Sequence, residues 1–261
     1  MKNKKSLFLI CIFVLFSIFT FSVSAADITI YVRDSSNNNS LINGATIYLL
    51  NSSGKSNSTT NSSGGVKFTG AGTGEWGAFA YASGYGIVNL DKITVTASSG
   101  NIEKTIYLKP NSAYPRSYFG KPFTSYTAPA ISQNQNFGWR HNGGLELHKG
   151  MDIKKDEGTS IYAVSSGSYD SKGDLPGSRG FYVKLKTIAN NSTYYITYQH
   201  MKEATSLTST STITKGTTVV GKVGHTGSVY SSTGNGDHLH IEISTSQSFG
   251  SNEIDPNCFF G

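Results

Sequence analysis

Charge, proline and cysteine are all scarce in this sequence. Only 15% of the 261 residues are Asp, Glu, Lys or Arg, and there are six prolines and two cysteines. Cys11 lies in an N-terminal apolar run that reads as a removable leader, which would leave Cys258 as the single thiol. One thiol excludes an intrachain disulfide and a zinc site built from thiolates. Extended stretches with an apolar period of 3.6 are few, which argues against a helical architecture. Strong charge of either sign is missing as well. The formal charge is +6, and without Lys2, Lys4 and Lys5 it becomes 19 − 16 = +3. That balance does not support nucleic acid as a partner, and it suits a mildly anionic polymer.

Glycine, Ser, Thr, Asn and Tyr are abundant, with 29 glycines and 15 tyrosines. This composition favours short strands and turns, so an all-β chain is expected. Residues 1–25 combine three early lysines, an apolar run from Leu7 to Val23 and the small-residue end Val23-Ser24-Ala25. They read as a secretory signal peptide, with no lasting membrane insertion after cleavage. A retained anchor is the alternative, since the run is near the lower length limit for a span. Cys11 lacks the small-residue context of a lipidation site.

Residues 27–109 alternate apolar and polar in short runs, for example Ile28-Thr29-Ile30-Tyr31-Val32 and Ala45-Thr46-Ile47-Tyr48-Leu49. Six or seven such strands predict a small sandwich, with the Ser/Asn/Thr-rich stretch 51–63 as a loop. Four of the six prolines fall within residues 110–130, which reads as a linker. Residues 131–261 return to strand and turn, including Phe181–Leu185, Tyr194–Tyr198 and His238–Ile243. One short helical turn is expected over Met201–Ser206. Tyr182, Tyr194, Tyr195 and Tyr198 are expected mostly in strand core.

All six histidines lie in this last region: His141, His148, His200, His225, His238 and His240. On a strand, His238, His240 and Glu242 share one face while Leu239, Ile241 and Ile243 share the other. His148 and Asp152 are both suitable metal ligands, and Gly150 between them lets the backbone turn freely. Alone, the His238/His240 pair reads equally as a polar surface cluster, and the isolated His148/Asp152 pair reads more simply as one. Glu242 is a candidate for orienting a histidine. Arg140 either meets substrate or packs, and His141 and His225 are expected in exposed loops.

Two resemblances add to this reading. Asn43-Gly44-Ala45-Thr46-Ile47, Thr60–Gly64, Val66-Lys67-Phe68 and Gly84-Tyr85 resemble the carboxypeptidase-regulatory-like β-sandwich module, whose members usually serve as non-catalytic spacers or attachment domains. Further along come Phe137-Gly138-Trp139-Arg140, His148-Lys149-Gly150-Met151-Asp152-Ile153, Gly158–Ala163, Gly167, Tyr198-Gln199-His200-Met201, Gly221, Gly224, Thr226-Gly227 and His238-Leu239-His240-Ile241-Glu242-Ile243. In that order they resemble the lysostaphin/LytM family of zinc endopeptidases. Asn134-Gln135-Asn136 departs from the family, which often has serine and glycine there.

The combined expectation is an immunoglobulin-like or prealbumin-like β-sandwich followed by an antiparallel β peptidase domain of the duplicated-hybrid-motif type. The resemblance implies Zn2+ held by His148, Asp152 and His240, with His238 and His200 as catalytic groups whose roles could be exchanged. It implies a hydrolase acting on the peptides of cell-wall peptidoglycan, which the leader reading makes secreted, and the chain is expected to be a monomer. The rival reading is a catalytically silent wall-binding scaffold, or an activator of other wall hydrolases, on the same fold. No H-E-x-x-H helix is present, so a glutamate-base mechanism is not expected.

Overall fold

A computed structural model describes residues 25–88, 90–130, 134–231 and 234–260. The expected leader therefore lies, apart from Ala25, outside the described residues. The N-terminal region contains β1 (Ala26–Asp34), β2 (Thr46–Asn51), β3 (Gly54–Thr59), β4 (Gly65–Ala71), β5 (Gly74–Tyr81), β6 (Tyr85–Ile87), β7 (Lys92–Val95) and β8 (Ile102–Pro110). The C-terminal region contains β9 (Gly138–His141), β10 (Leu145–His148), β11 (Met151–Lys154), β12 (Ser160–Tyr162) and β13 (Ser168–Leu175). It continues with β14 (Gly180–Ala189), β15 (Ser192–Met201), β16 (Val219–Lys222), β17 (His238–Ser244) and β18 (Glu253–Ile254). Only three 3₁₀ turns interrupt the strands among the described residues. The chain is all-β.

Two four-stranded sheets, ordered β4-β1-β8-β6 and β3-β2-β5-β7, share one hydrophobic cluster that includes Ile28, Ile30, Ile47, Leu49 and Leu108. The larger C-terminal sheet is ordered β11-β17-β15-β14-β13, with β18 added beside β17. Its core is a second cluster around Met151, Ile161, Leu185, Ile196, Tyr198 and Ile241. At roughly 1.5–3 kcal/mol for each fully buried large apolar side chain, these clusters hold the sheets together.

Three local readings change. Residues 54–59, expected as loop, form β3, which pairs with β2 at a sheet edge. An edge strand with a solvent-facing side needs little apolar sequence, so its polar composition concealed it. No helical turn forms at Met201–Ser206. Met201 instead bridges Val223, and the Lys202 amide donates to the Lys222 carbonyl, so the chain stays extended. Among the four tyrosines, Tyr194 and Tyr198 are core residues, whereas Tyr182 and Tyr195 are only half-buried.

Residues 110–130 are not a loose connection. They form 3₁₀ turns at Asn111–Ala113 and Arg116–Tyr118, and bury Phe119 and Phe123 in the C-terminal core. Conversely, Phe137 and Trp139 pack with the N-terminal cluster, joined by Leu145 and Leu147. The two regions thus interlock.

Asp255 lies fully buried near their junction. Its Oδ1 accepts from the Asn257 backbone N–H at 3.0 Å and from Asn257 Nδ2 at 2.9 Å. Burial pushes its carboxyl up to about 6, against opposing hydrogen bonds from Asn257 and the Ile87 amide. Between the ordinary carboxylate value and 6 the folded chain holds the proton more tightly than the unfolded one. Stability therefore falls as pH rises through that window, by about 3 kcal/mol in full. Asp255→Asn is expected to gain stability relative to the native chain as pH rises from about 4 to about 6. Melting temperatures of the two proteins across that range check this, and a constant difference would show that the carboxyl does not charge there.

Candidate metal centre

Antiparallel pairing of β11 with β17 sets Asp152 opposite His240, flanked by the buried pairs Met151–Ile241 and Ile153–Leu239. On β17, Leu239, Ile241 and Ile243 are completely buried in the core. His238, His240 and Glu242 occupy the other face, as period-2 geometry requires. His148 ends β10, and Lys149-Gly150 returns the chain into β11. Gly150 serves a different purpose from the one expected. Its φ is not in the left-handed region. A Cβ there would lie 2.5 Å from the Ile241 carbonyl oxygen and 2.6 Å from His240 Nε2. The position needs glycine for space rather than for turning.

Three donor atoms converge. His148 Nε2 is 3.0 Å from His240 Nδ1 and 3.2 Å from Asp152 Oδ1, and His240 Nδ1 is 2.7 Å from Asp152 Oδ1. The remaining ring nitrogens are committed elsewhere. His148 Nδ1–H donates to the Asn136 carbonyl at 2.7 Å, and His240 Nε2–H faces Glu242 Oε1 at 3.3 Å. In neutral rings those tautomers aim two nitrogen lone pairs and a carboxylate oxygen at one another. Such a cluster requires a cation at its centre, either a proton or a metal.

Without a metal, the proton belongs to His240. Burial alone would lower this imidazole, but hydrogen bonds to Asp152 and Glu242 outweigh it and raise the group to about 9. Burial is the main reason that His148 falls below its ordinary value. Asp152 stays ionised, because His148 and His240 overcome the effect of its burial. The donor set suits zinc: two imidazoles and one carboxylate, two of whose separations, 3.0 and 3.2 Å, are close to the roughly 3.3 Å expected of ligands on a tetrahedral ion, while the third, 2.7 Å, is that of a hydrogen bond. Three ligands leave a fourth position open.

Two further imidazoles border the cluster. The rings of His200 and His238 are 4.8 Å apart, and His238 Nε2 lies 3.6 Å from Asp152 Oδ1. His200 Nδ1–H donates to the Thr226 carbonyl and His238 Nδ1–H to the Gly236 carbonyl, each at 2.7 Å. Each neutral ring therefore presents a bare Nε2. Burial pushes His200 down to about 4, helped by His240 and His238, and it lowers His238 too. His200 also has a φ of +57°, an uncommon left-handed backbone for a branched-ring residue at the end of a strand, with a cost on the order of 1 kcal/mol or more.

Arg140 neither reaches outward to substrate nor merely packs. Its Nη1 donates to Asp152 Oδ2 at 3.1 Å and its Nη2 to Glu146 Oε1 at 2.9 Å. Asp152 is thereby oriented so that Oδ1 faces the imidazoles. Glu242 stands beside Arg179, at 3.6 Å, as well as beside His240. Burial would raise the Glu242 carboxyl, but His240 and Arg179 together bring it down to about 2. The roles of Arg140, Arg179 and the Asn136 carbonyl were not signalled by the sequence.

His141 is exposed, its Nε2–H donating to the Ser52 carbonyl at 2.8 Å. His225 is partly buried and pairs with Asp237 at 2.7 Å. With Glu157 these two form a second donor set among the described residues. That set contains an exposed glutamate, and His225 and Asp237 already partner each other through a hydrogen bond.

Comparison with known proteins adds a family likeness over part of the chain. Residues 146–256 match the family model described as peptidase family M23. Over those residues the chain is similar to the M23 peptidases. A solved catalytic domain of the prophage-encoded M23 protein EnpA from Enterococcus faecalis is 20% identical, with 54% of this chain and 96% of that one covered and a TM-score of 0.42. The catalytic domain of lysostaphin from Staphylococcus simulans is 26% identical, over 52% of this chain and 89% of that one, with a TM-score of 0.37. No match to a curated protein was found.

Because Gly150 sits against His240, Gly150→Ala is expected to weaken divalent-metal binding by roughly tenfold or more with the strand content unchanged. Metal titration alongside circular dichroism checks this. Unaltered affinity would mean that the β10–β11 turn yields without disturbing the donors.

Proposed function

We propose that this chain is a secreted zinc metalloendopeptidase that hydrolyses peptide bonds in the crosslinks or stems of peptidoglycan. The observation that carries the reading is the convergence of His148 Nε2, Asp152 Oδ1 and His240 Nδ1 beside the two bare imidazole nitrogens of His200 and His238. The likeness to the M23 peptidases supports the reaction class. Lysostaphin, which the chain resembles, is named an antimicrobial peptidase, and the resemblance of the sequence motifs to the lysostaphin/LytM family implies the wall substrate. Among the described residues no helix is long and apolar enough to cross a membrane. The leader reading of residues 1–25 supports export.

His148, Asp152 and His240 would hold the zinc, which supplies an electrophile for the scissile carbonyl and lowers the pKa of water at the open position. The protein's own groups do the rest. Arg140 keeps Asp152 turned toward the imidazoles, while Asn136 and Glu242 set the tautomers of His148 and His240. His238 Nε2 is the nearer bare nitrogen to Asp152 and is the base that takes the water's proton and returns it to the leaving amine. His200 positions water or stabilises the developing oxyanion.

Purified protein is expected to contain about one zinc per chain and to clear peptidoglycan, with a chelator abolishing clearing and added zinc restoring it. Bound zinc without clearing would favour the silent-scaffold reading, and absence of zinc would overturn the proposal.

The roles separate by substitution. His240→Ala should lose zinc and activity together, whereas His238→Ala should retain zinc and lose activity by about 10²-fold or more. An emptied site in His238→Ala would reassign the ligands. Because burial lowers His200 and His238, their nitrogens stay unprotonated below the ordinary histidine value. The acid limb of kcat/KM should therefore fall below about pH 6.5, and a limb at or above that value would exclude these imidazoles as the base.

A further inference from the structure

The β9–β10 hairpin has two opposite faces with different partners. Arg140 pairs across it with Glu146, and Trp139 with Leu147. Alternation sends Arg140, Glu146 and His148 to the metal centre and Trp139, His141, Leu145 and Leu147 to the other side. That second side rests on the N-terminal region. The Trp139 indole lies over Gly77 of β5, where any Cβ would overlap it. Trp139 Nε1–H donates to the Leu90 carbonyl at 3.1 Å, and Tyr81 O–H donates to the Phe137 carbonyl at 2.9 Å. Gly138, at φ +124°, sits against Phe79.

The receiving surface is made for this contact. On β5, Ala78 and Ala80 alternate with Gly77, Phe79 and Tyr81, and all five are buried. A strand buried on both faces has a layer on each side. Tyr48 stacks on Phe79 with ring centroids 5.0 Å apart, and Tyr81 meets both edge-on. The segment Phe137–Arg140 precedes residues 146–256, which match the M23 family. In this chain, then, the parts that orient the domain's donors are seated on another region. One residue before Phe137, the Asn136 carbonyl receives His148 Nδ1–H. One residue after Trp139, Arg140 holds Asp152.

We propose that the N-terminal region is a positioning element of the metal centre, and that Trp139, seated in the slot left by Gly77, is the positioning residue that sets Arg140 and the Asn136 carbonyl against the ligands. The β3-β2-β5-β7 sheet is the platform on which the site is assembled, rather than a tethered spacer. This inference rests on reading His148, Asp152 and His240 as metal ligands.

The test uses the full chain in four forms: Gly77→Val, Trp139→Leu, the two combined, and Ile30→Ala. Ile30→Ala opens a cavity in β1, on the sheet that does not carry the hairpin. Zinc affinity is measured by competition with a chromophoric chelator, and the ligand field by the visible spectrum of the cobalt(II)-substituted protein. Gly77→Val and Trp139→Leu should each lower zinc affinity by roughly 10–100-fold and alter the cobalt spectrum. The combined variant should recover part of the loss, because the smaller Leu makes room for Val. Ile30→Ala should leave both readouts unchanged despite lowering the melting temperature.

Zinc affinity that simply follows melting temperature in all four forms would overturn the inference, as would native affinity in Gly77→Val. Failure of the underlying metal reading looks different: zinc binding by the native chain would then be absent or unaffected by His240→Ala.

Discussion

The register between β11 and β17 is the constraint on which the site depends. Directly opposed residues of an antiparallel pair have Cα atoms about 4.5–5.5 Å apart, close enough for Asp152 and His240 to share one point in space. A slip of one residue would turn one of them into the core and bring a methionine or isoleucine out in its place. The polar contacts of Asp152 and His240 oppose that slip only in part. What prevents it is the burial of Met151, Ile153, Leu239 and Ile241, each no more than 2% exposed. At roughly 1.5–3 kcal/mol each, these side chains outweigh the roughly 0.5–1.5 kcal/mol of a typical single hydrogen bond. The apolar face indexes the polar one, so the chemistry is positioned by residues that never touch it.

This explains which parts of the site could be read from the sequence. His238, His240 and Glu242 were legible because a strand's side-chain period is 2 and the intervening residues are strongly apolar. His148 and Asp152 were legible as a motif, but the purpose of Gly150 was not, since the atoms that crowd it belong to Ile241 and His240, some ninety residues away. Arg140 was ambiguous for the same reason: its partners are Asp152 and Glu146, and only the hairpin brings them together. The polar strands β3 and β13 lie at sheet edges, where the alternation rule relaxes. The proline-containing stretch 110–130 was read by composition as a linker, yet its aromatic residues Phe119 and Phe123 decide its fate by packing into the C-terminal core.

The two carboxylates that meet the imidazoles each have an arginine partner, and one of these, Arg140, also meets Glu146. Asp152 is matched by Arg140 and Glu242 by Arg179, and burial keeps His148, His200 and His238 from charging readily. Asp152 and Glu242 thus orient imidazoles and donors while the arginines offset part of their charge. A divalent cation seated among His148, Asp152 and His240 would bring positive charge that these residues do not cancel. Uncompensated charge in a partly buried site attracts an anion strongly, because the effective dielectric there is far below that of water. The species favoured at the open position would be those that gain negative charge during amide hydrolysis. Had the two arginines been absent, Asp152 and Glu242 would offset the cation and weaken that preference. With a cation bound, the arginine partners would serve such chemistry twice, by aiming the carboxylates and by leaving more of the cation's charge available to the reaction.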